Sequence, residues 1–303
     1  MTPQSRRMPL FAPALVLGAA LALAACTPES APDEGAPAAS AAAAESVAEA
    51  VWSADGRRLA VTWTLGAHAR LMGLFGPADG TPPPESTGLP LAQDGDAGWA
   101  SWSPDGLWVA YAAGGEGSRD IHRVRPDGTG AESLASDPAD DFDPAYAPDG
   151  RTLAFVSTRG GGAPVLHVMD AAGGEARMLA DLGGPVRRPM WSPDGRRLAV
   201  QVTEAGEEVV YLVSADGSGW GRLGPGRLPA WFPDGERVAF TENDSIFWRP
   251  AEGGPRRFLA AGGTAPRPSP DGRWLAFVRG TPPASALYLL DLESGTETRI
   301  TPP

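Results

Sequence analysis

The residues able to do chemistry are few and scattered. Three histidines occur, His68, His122 and His167, with a single cysteine, Cys26. One cysteine excludes an intrachain disulfide and a thiolate zinc site. Asp137, Asp140, Asp141 and Asp143 form an acidic cluster. Hard cations take several carboxylates, so this stretch is a candidate calcium loop, although it lacks the glycine and final glutamate of an EF-hand. No Gly-x-Ser-x-Gly elbow occurs, so the serine arrangement of α/β-hydrolases is not expected. All 25 basic residues are arginine, so there is no phosphate loop carrying a lysine. The net charge of −12 opposes nucleic-acid binding, which needs a basic footprint. The sequence therefore predicts no catalytic residues, no metal site and no cofactor, with calcium near Asp137–Asp143 as the alternative reading of the acidic cluster.

The elements that position these residues repeat. Val51-Trp52-Ser53-Ala54-Asp55-Gly56 returns as Ser101-Trp102-Ser103-Pro104-Asp105-Gly106 and as Ala145-Tyr146-Ala147-Pro148-Asp149-Gly150. Further copies end at Asp194-Gly195, Asp234-Gly235 and Asp271-Gly272. Proline presets the first turn corner, aspartate suits the second, and glycine takes the left-handed closing position of a hairpin loop. Each copy is followed by an apolar run centred on alanine, such as Leu153-Ala154-Phe155. In a strand the two large residues share one face and the alanine points to the other. The aromatic before the turn, as in Trp102 or Trp191, is the bulky partner expected from an adjacent sheet. A third strand with its own turn follows, as in Leu166-His167-Val168-Met169, and then a short fourth, as in Arg177-Met178-Leu179. His122 and His167 occupy a slot that holds Tyr211, Phe247 and Tyr288 elsewhere, which reads as a flat side chain between sheets. Four strands per repeat predict an all-β fold, a six-bladed β-propeller of four-stranded antiparallel blades over residues 48–303. Gly 39 and Pro 32 agree, since that content opposes long helices.

Ahead of the repeats, Arg6 and Arg7 precede an uncharged stretch ending Leu23-Ala24-Ala25-Cys26. A basic start, an apolar run and small residues before a break describe an export signal over residues 1–25. Residues 26–47 are rich in alanine, proline, serine and glutamate and bury too little to offset their ordering entropy. They are expected to be a flexible tether reaching about 25 Å.

These residues carry two resemblances. The break at Cys26 resembles the lipobox of bacterial lipoproteins, which implies cleavage before Cys26 and acylation of it. Tyr146-Ala147-Pro148-Asp149-Gly150-Arg151-Thr152-Leu153-Ala154-Phe155-Val156-Ser157 resembles the PD40 repeat of TolB-type, WD40-like β-propellers. The resemblance implies a lipid-anchored, exported, periplasmic or extracellular monomer that binds an envelope protein or peptide and is not an enzyme. The alternative is an envelope lyase or hydrolase acting on a polymer or glycan, with its site at the channel mouth.

In a four-stranded meander the Pro-Asp-Gly turns share one face and the variable loops share the other, where binding sites concentrate. The loops entering blades two and three hold Asp94, Asp96, Asp137, Asp140, Asp141 and Asp143, and those entering blades four to six hold Arg187, Arg188, Arg227 and Arg267. Together with Trp99 they predict a two-signed rim able to orient a charged partner. For the leader, Cys26→Ser is expected to move the protein from the detergent phase to the aqueous phase in a phase-partition assay. An unchanged partition would contradict lipidation.

Overall fold

The computed structural model describes residues 45–65, 68–75, 89–92, 98–115, 117–135, 137–281 and 284–300. The expected signal segment, Cys26, most of the tether, and Asp94 and Asp96 lie outside the described residues. Among the described residues, twenty-four strands form six four-stranded antiparallel sheets, each a simple meander of consecutive strands. Blade 1 comprises β1 (Glu45–Trp52), β2 (Arg58–Leu65), β3 (His68–Phe75) and β4 (Leu89–Ala92). Its first strand begins at Glu45, inside the segment expected to be tether. Blade 2 comprises β5 (Gly98–Trp102), β6 (Val109–Ala113), β7 (Asp120–Val124) and β8 (Glu132–Ala135). Blade 3 comprises β9 (Asp141–Tyr146), β10 (Thr152–Ser157), β11 (Val165–Asp170) and β12 (Arg177–Ala180). Blade 4 comprises β13 (Val186–Trp191), β14 (Arg197–Glu204), β15 (Glu207–Ser214) and β16 (Trp220–Pro225). Blade 5 comprises β17 (Arg227–Trp231), β18 (Arg237–Glu242), β19 (Ser245–Pro250) and β20 (Arg257–Ala261). Blade 6 comprises β21 (Gly263–Pro268), β22 (Trp274–Arg279), β23 (Ala286–Asp291) and β24 (Glu297–Ile300).

The turns explain the hairpins. In the turn after β5, Ser103 Oγ and the Leu107 amide donate to Asp105 Oδ1, and the Trp108 amide donates to Ser103 Oγ. The Gly106 amide closes the turn on the Ser103 carbonyl at φ 69°. The turns at Asp55, Asp194 and Asp271 repeat the serine–aspartate clasp. Where Ala147 and Phe232 replace the serine, Asp149 and Asp234 accept from two backbone amides instead. The Ser103 and Ser192 hydroxyls hold the carboxyls of Asp105 and Asp194 below the usual range. Because these folded-state values are depressed, the clasp stabilises the fold at neutral pH and is lost as pH falls through them.

Packing between sheets forms the core. Leu153, Ala154 and Phe155 of β10 are fully buried. Within each of four sheets, a large ring of the second strand lies beside a flat side chain of the third: Tyr111 by His122, Phe155 by His167, Phe240 by Phe247 and Phe277 by Tyr288. Indoles tie neighbouring blades. Trp102 Nε1 donates to the Val51 carbonyl of blade 1, Trp191 to Ala145 of blade 3 and Trp231 to Met190 of blade 4. The ring closes the same way, with Trp52 Nε1 donating to the Arg267 carbonyl of blade 6 and Ser285 Oγ donating to the Val47 carbonyl. Pro268 stands where blade 6 would carry its aromatic, so that seam lacks an indole donor.

Five blades share one break in the first strand: Trp99, Asp143, Arg188, Leu228 and Ala265 all adopt left-handed φ between 51° and 57°. The pairing register shifts at each of these points. Blade 1 stands apart: its register shifts between Val47 and Glu49, and none of its described first-strand residues is left-handed. A bulge bends the strand and re-aims side chains. For non-glycine residues it carries strain of roughly 1–3 kcal/mol each, which the surrounding sheets must hold. For the indole ties, Trp191→Phe removes one donor from a part-buried carbonyl and should cost about 1–3 kcal/mol. In a domain of this size that lowers the melting temperature by about 2–4 °C per kcal/mol. An unchanged melting temperature would show that the tie contributes nothing.

Candidate functional site

The first strands of all six blades surround a central channel, and the structure divides it into two tiers. Nearer the variable loops lies a compact charge cluster. Arg188 Nη1 reaches Glu49 Oε2 at 2.7 Å, while its Nε lies 3.8 Å from Asp143 Oδ1 and its amide donates to Asp143 Oδ2 at 2.8 Å. The guanidinium stacks on Trp99 at 3.4 Å from the ring centre. Arg267 Nη2 approaches the same Glu49 oxygen at 3.5 Å, and the Ala100 amide donates to Oε1 at 3.1 Å. Blades 1 and 4 are three steps apart around the ring in either direction. The Glu49–Arg188 pair therefore crosses the axis and closes the channel at this level.

Glu49, Asp143 and Arg267 are each at most 5% exposed. Two carboxylates and two guanidiniums balance in formal charge. Burial pushes the Arg267 guanidinium below its ordinary pKa, and Glu49 opposes that shift. Buried ions are costly without partners, so the cluster holds only while each ion keeps its counter-charge.

The remaining rim residues are engaged separately. Asp140 takes a bidentate contact from Arg119. Asp141 accepts from Ser157 Oγ at 2.6 Å and from Arg159 Nη2 at 2.6 Å. Asp137 caps the Ala139 amide. The four aspartates thus turn to four different partners and do not converge as the ligands of a calcium loop would. Arg187 lies 4.3 Å over the Phe142 ring, and Arg227 pairs with Asp244 at 3.0 Å. Arg227 also borders a cavity of about 380 Å³ whose lining includes Glu207, Glu208 and Glu242. The two-signed rim is therefore not two opposed halves. Arg188, Asp143 and Arg267 face inward and are neutralised together with Glu49, whereas Arg187 and Arg227 stay half-exposed. Glu49, the counter-ion both arginines share, was not foreseen: it stands at the very start of the expected propeller, and only the fold places it on the axis.

On the turn face the channel opens into a funnel of about 490 Å³. Its wall carries Trp52, Trp102, Tyr146, Trp191 and Trp231. Nearer the mouth stand the prolines of five turns, and deeper lies a ring made by Val51, Ser101, Ala145, Met190, Ala230 and Arg267. Five members of that ring are small or uncharged, and Arg267 is its one charge.

No family model matches the chain. A protein TolB homolog from Chlorobium luteolum is 39% identical over 82 residues, 27% of this chain and 18% of that relative. The matched stretch is thus under a fifth of that relative's length. Among solved structures, a putative TolB from Agrobacterium tumefaciens aligns at TM-score 0.62 and 21% identity, over 70% of this chain and 83% of that one. An oligogalacturonate lyase in complex with manganese aligns at TM-score 0.59 and 14% identity, over 84% and 76% of the two chains. The chain has a TolB-like β-propeller fold, shared by proteins of different activity. For the cluster, Glu49→Gln leaves two buried guanidiniums short of a counter-ion and should cost about 3–5 kcal/mol in urea unfolding. A loss under about 1 kcal/mol, the scale of a surface pair, would contradict the pairing.

Proposed function

We propose that this protein is a non-catalytic binding or scaffold propeller of the bacterial cell envelope, tethered by a lipid on Cys26, that holds a protein or peptide partner on its variable-loop face. The observation that carries this reading is the ion pair across the axis. The acids and the guanidinium on the axis that a reactive cleft would need free, Glu49, Asp143 and Arg188, are engaged with one another. What the loop face offers outward is a rigid surface with half-exposed charge at Arg187 and Arg227, which suits electrostatic recognition more than bond chemistry. The TolB-like fold supports a protein-interaction role. The export signal, anchor and periplasmic or extracellular address rest on the leader sequence.

The test is crosslinking in intact cells followed by identification of the captured proteins. The double reversal Arg187→Glu with Arg227→Glu leaves the buried cluster untouched. It is expected to reduce recovery of the partner by roughly 10-fold, the effect of about 1.4 kcal/mol. Equal recovery would place the interface elsewhere. Capture of no envelope protein, with depolymerisation of a cell-wall glycan by the purified protein, would replace this reading with the enzyme one.

A further inference from the structure

The funnel on the turn face takes no part in the loop-face reading, and its chemistry is specific. Its wall is aromatic and apolar, and the indole donors of Trp52, Trp102, Trp191 and Trp231 are already used between blades. Along the tryptophan wall an entering group therefore meets carbon surface and ring faces rather than free indole donors. At the floor stands Arg267, whose side chain is only 6% exposed. Its Nη1 donates to the Pro266 carbonyl at 3.0 Å. Its ion pair with Glu49 is long, at 3.5 Å, because that carboxylate is held more closely by Arg188 at 2.7 Å. The Nε of Arg267 has no hydrogen-bond partner. A buried guanidinium whose Nε is unpartnered, and whose Glu49 partner is held more closely by Arg188, keeps capacity for a closer anion. Arginine is suited to supply paired donors to a carboxylate. About 490 Å³ falls within the range of small-ligand pockets and could hold a ligand the size of a residue or two.

We infer that the turn-face funnel binds an apolar or aromatic group bearing a carboxylate, with the carboxylate at Arg267 and the apolar part against the tryptophan wall. Two sources supply such a group: a free aromatic acid, or the C-terminal residue of another polypeptide. The site faces away from the variable loops, so the protein could hold this ligand and a loop-face partner together.

The experiment uses the full-length protein in detergent, with tryptophan fluorescence and calorimetry as readouts. The probes are indole-3-propionate, a short peptide ending in phenylalanine with a free carboxylate, and the same peptide as its amide. Free acids are expected to bind, and the amide at least about 10-fold more weakly, the scale of one charge-assisted hydrogen bond. Tighter binding of the peptide than of indole-3-propionate identifies a chain terminus as the source; the reverse identifies a free acid. Arg267→Gln should weaken both acids by about the same factor. Because that change touches the buried cluster, Ser101→Asp provides a second variant. It keeps an acceptor for the Tyr146 amide and adds an anion to the ring, so it should abolish binding without lowering the melting temperature. Equal affinity for acid and amide, no binding of either acid at millimolar concentration, or unchanged affinity in Ser101→Asp would overturn the inference.

Discussion

The ion pair between Glu49 and Arg188 crosses the axis of the ring, and much of the structure is arranged around it. A guanidinium from blade 4 and a carboxylate from blade 1 meet at 2.7 Å only if the ring is closed and narrow there. Closure comes from the seams, where indoles donate to carbonyls of the preceding blade. Narrowness comes from the first strands, whose left-handed break turns Asp143 and Arg188 toward the centre. A long-range charge contact in a dry interior is strong when paired and costly when broken. The pair therefore couples opposite sides of a fold whose blades pack mainly on their neighbours, and the stacking of Arg188 on Trp99 of blade 2 adds a second contact across the channel.

This constraint also partitions the molecule. On the loop side the channel ends in a neutralised cluster, and recognition falls to the surface around it. On the turn side the channel remains open as a funnel walled by the same aromatics that tie the blades. Arg267 belongs to both tiers. It contributes to the plug through Glu49, and it forms the one charged point of the funnel floor. The two faces thus share a side chain while offering different chemistry, mixed charge on one and apolar surface on the other.

Much of this architecture was legible in the residues, for local reasons. Pro-Asp-Gly announces its turn because each residue has a backbone preference that the turn needs, and the serine two positions before the aspartate completes the clasp. The alanine between large residues announces close packing of sheets, whereas His122 and His167 sit against the rings of Tyr111 and Phe155 on the paired strand of their own sheet. The centre of the ring was not legible. Trp99, Asp143, Arg188, Leu228 and Ala265 share a left-handed backbone without a single glycine to mark it, so tertiary packing imposes that break. A charge near a loop reads as solvated, and nothing local tells that Arg188 and Arg267 turn inward while Arg187 and Arg227 stay outside. Glu49 was hidden most completely, because its partner lies 139 residues away.

The most direct measurement is a double-mutant cycle between Glu49 and Arg188, read by equilibrium unfolding of Glu49→Gln, Arg188→Met and the combined variant. A pair meeting across the axis predicts a coupling energy of about 1–3 kcal/mol, as for residues in direct contact. Additivity within about 0.3–0.5 kcal/mol would mean that the two side chains do not meet, and the divided channel would fall with them.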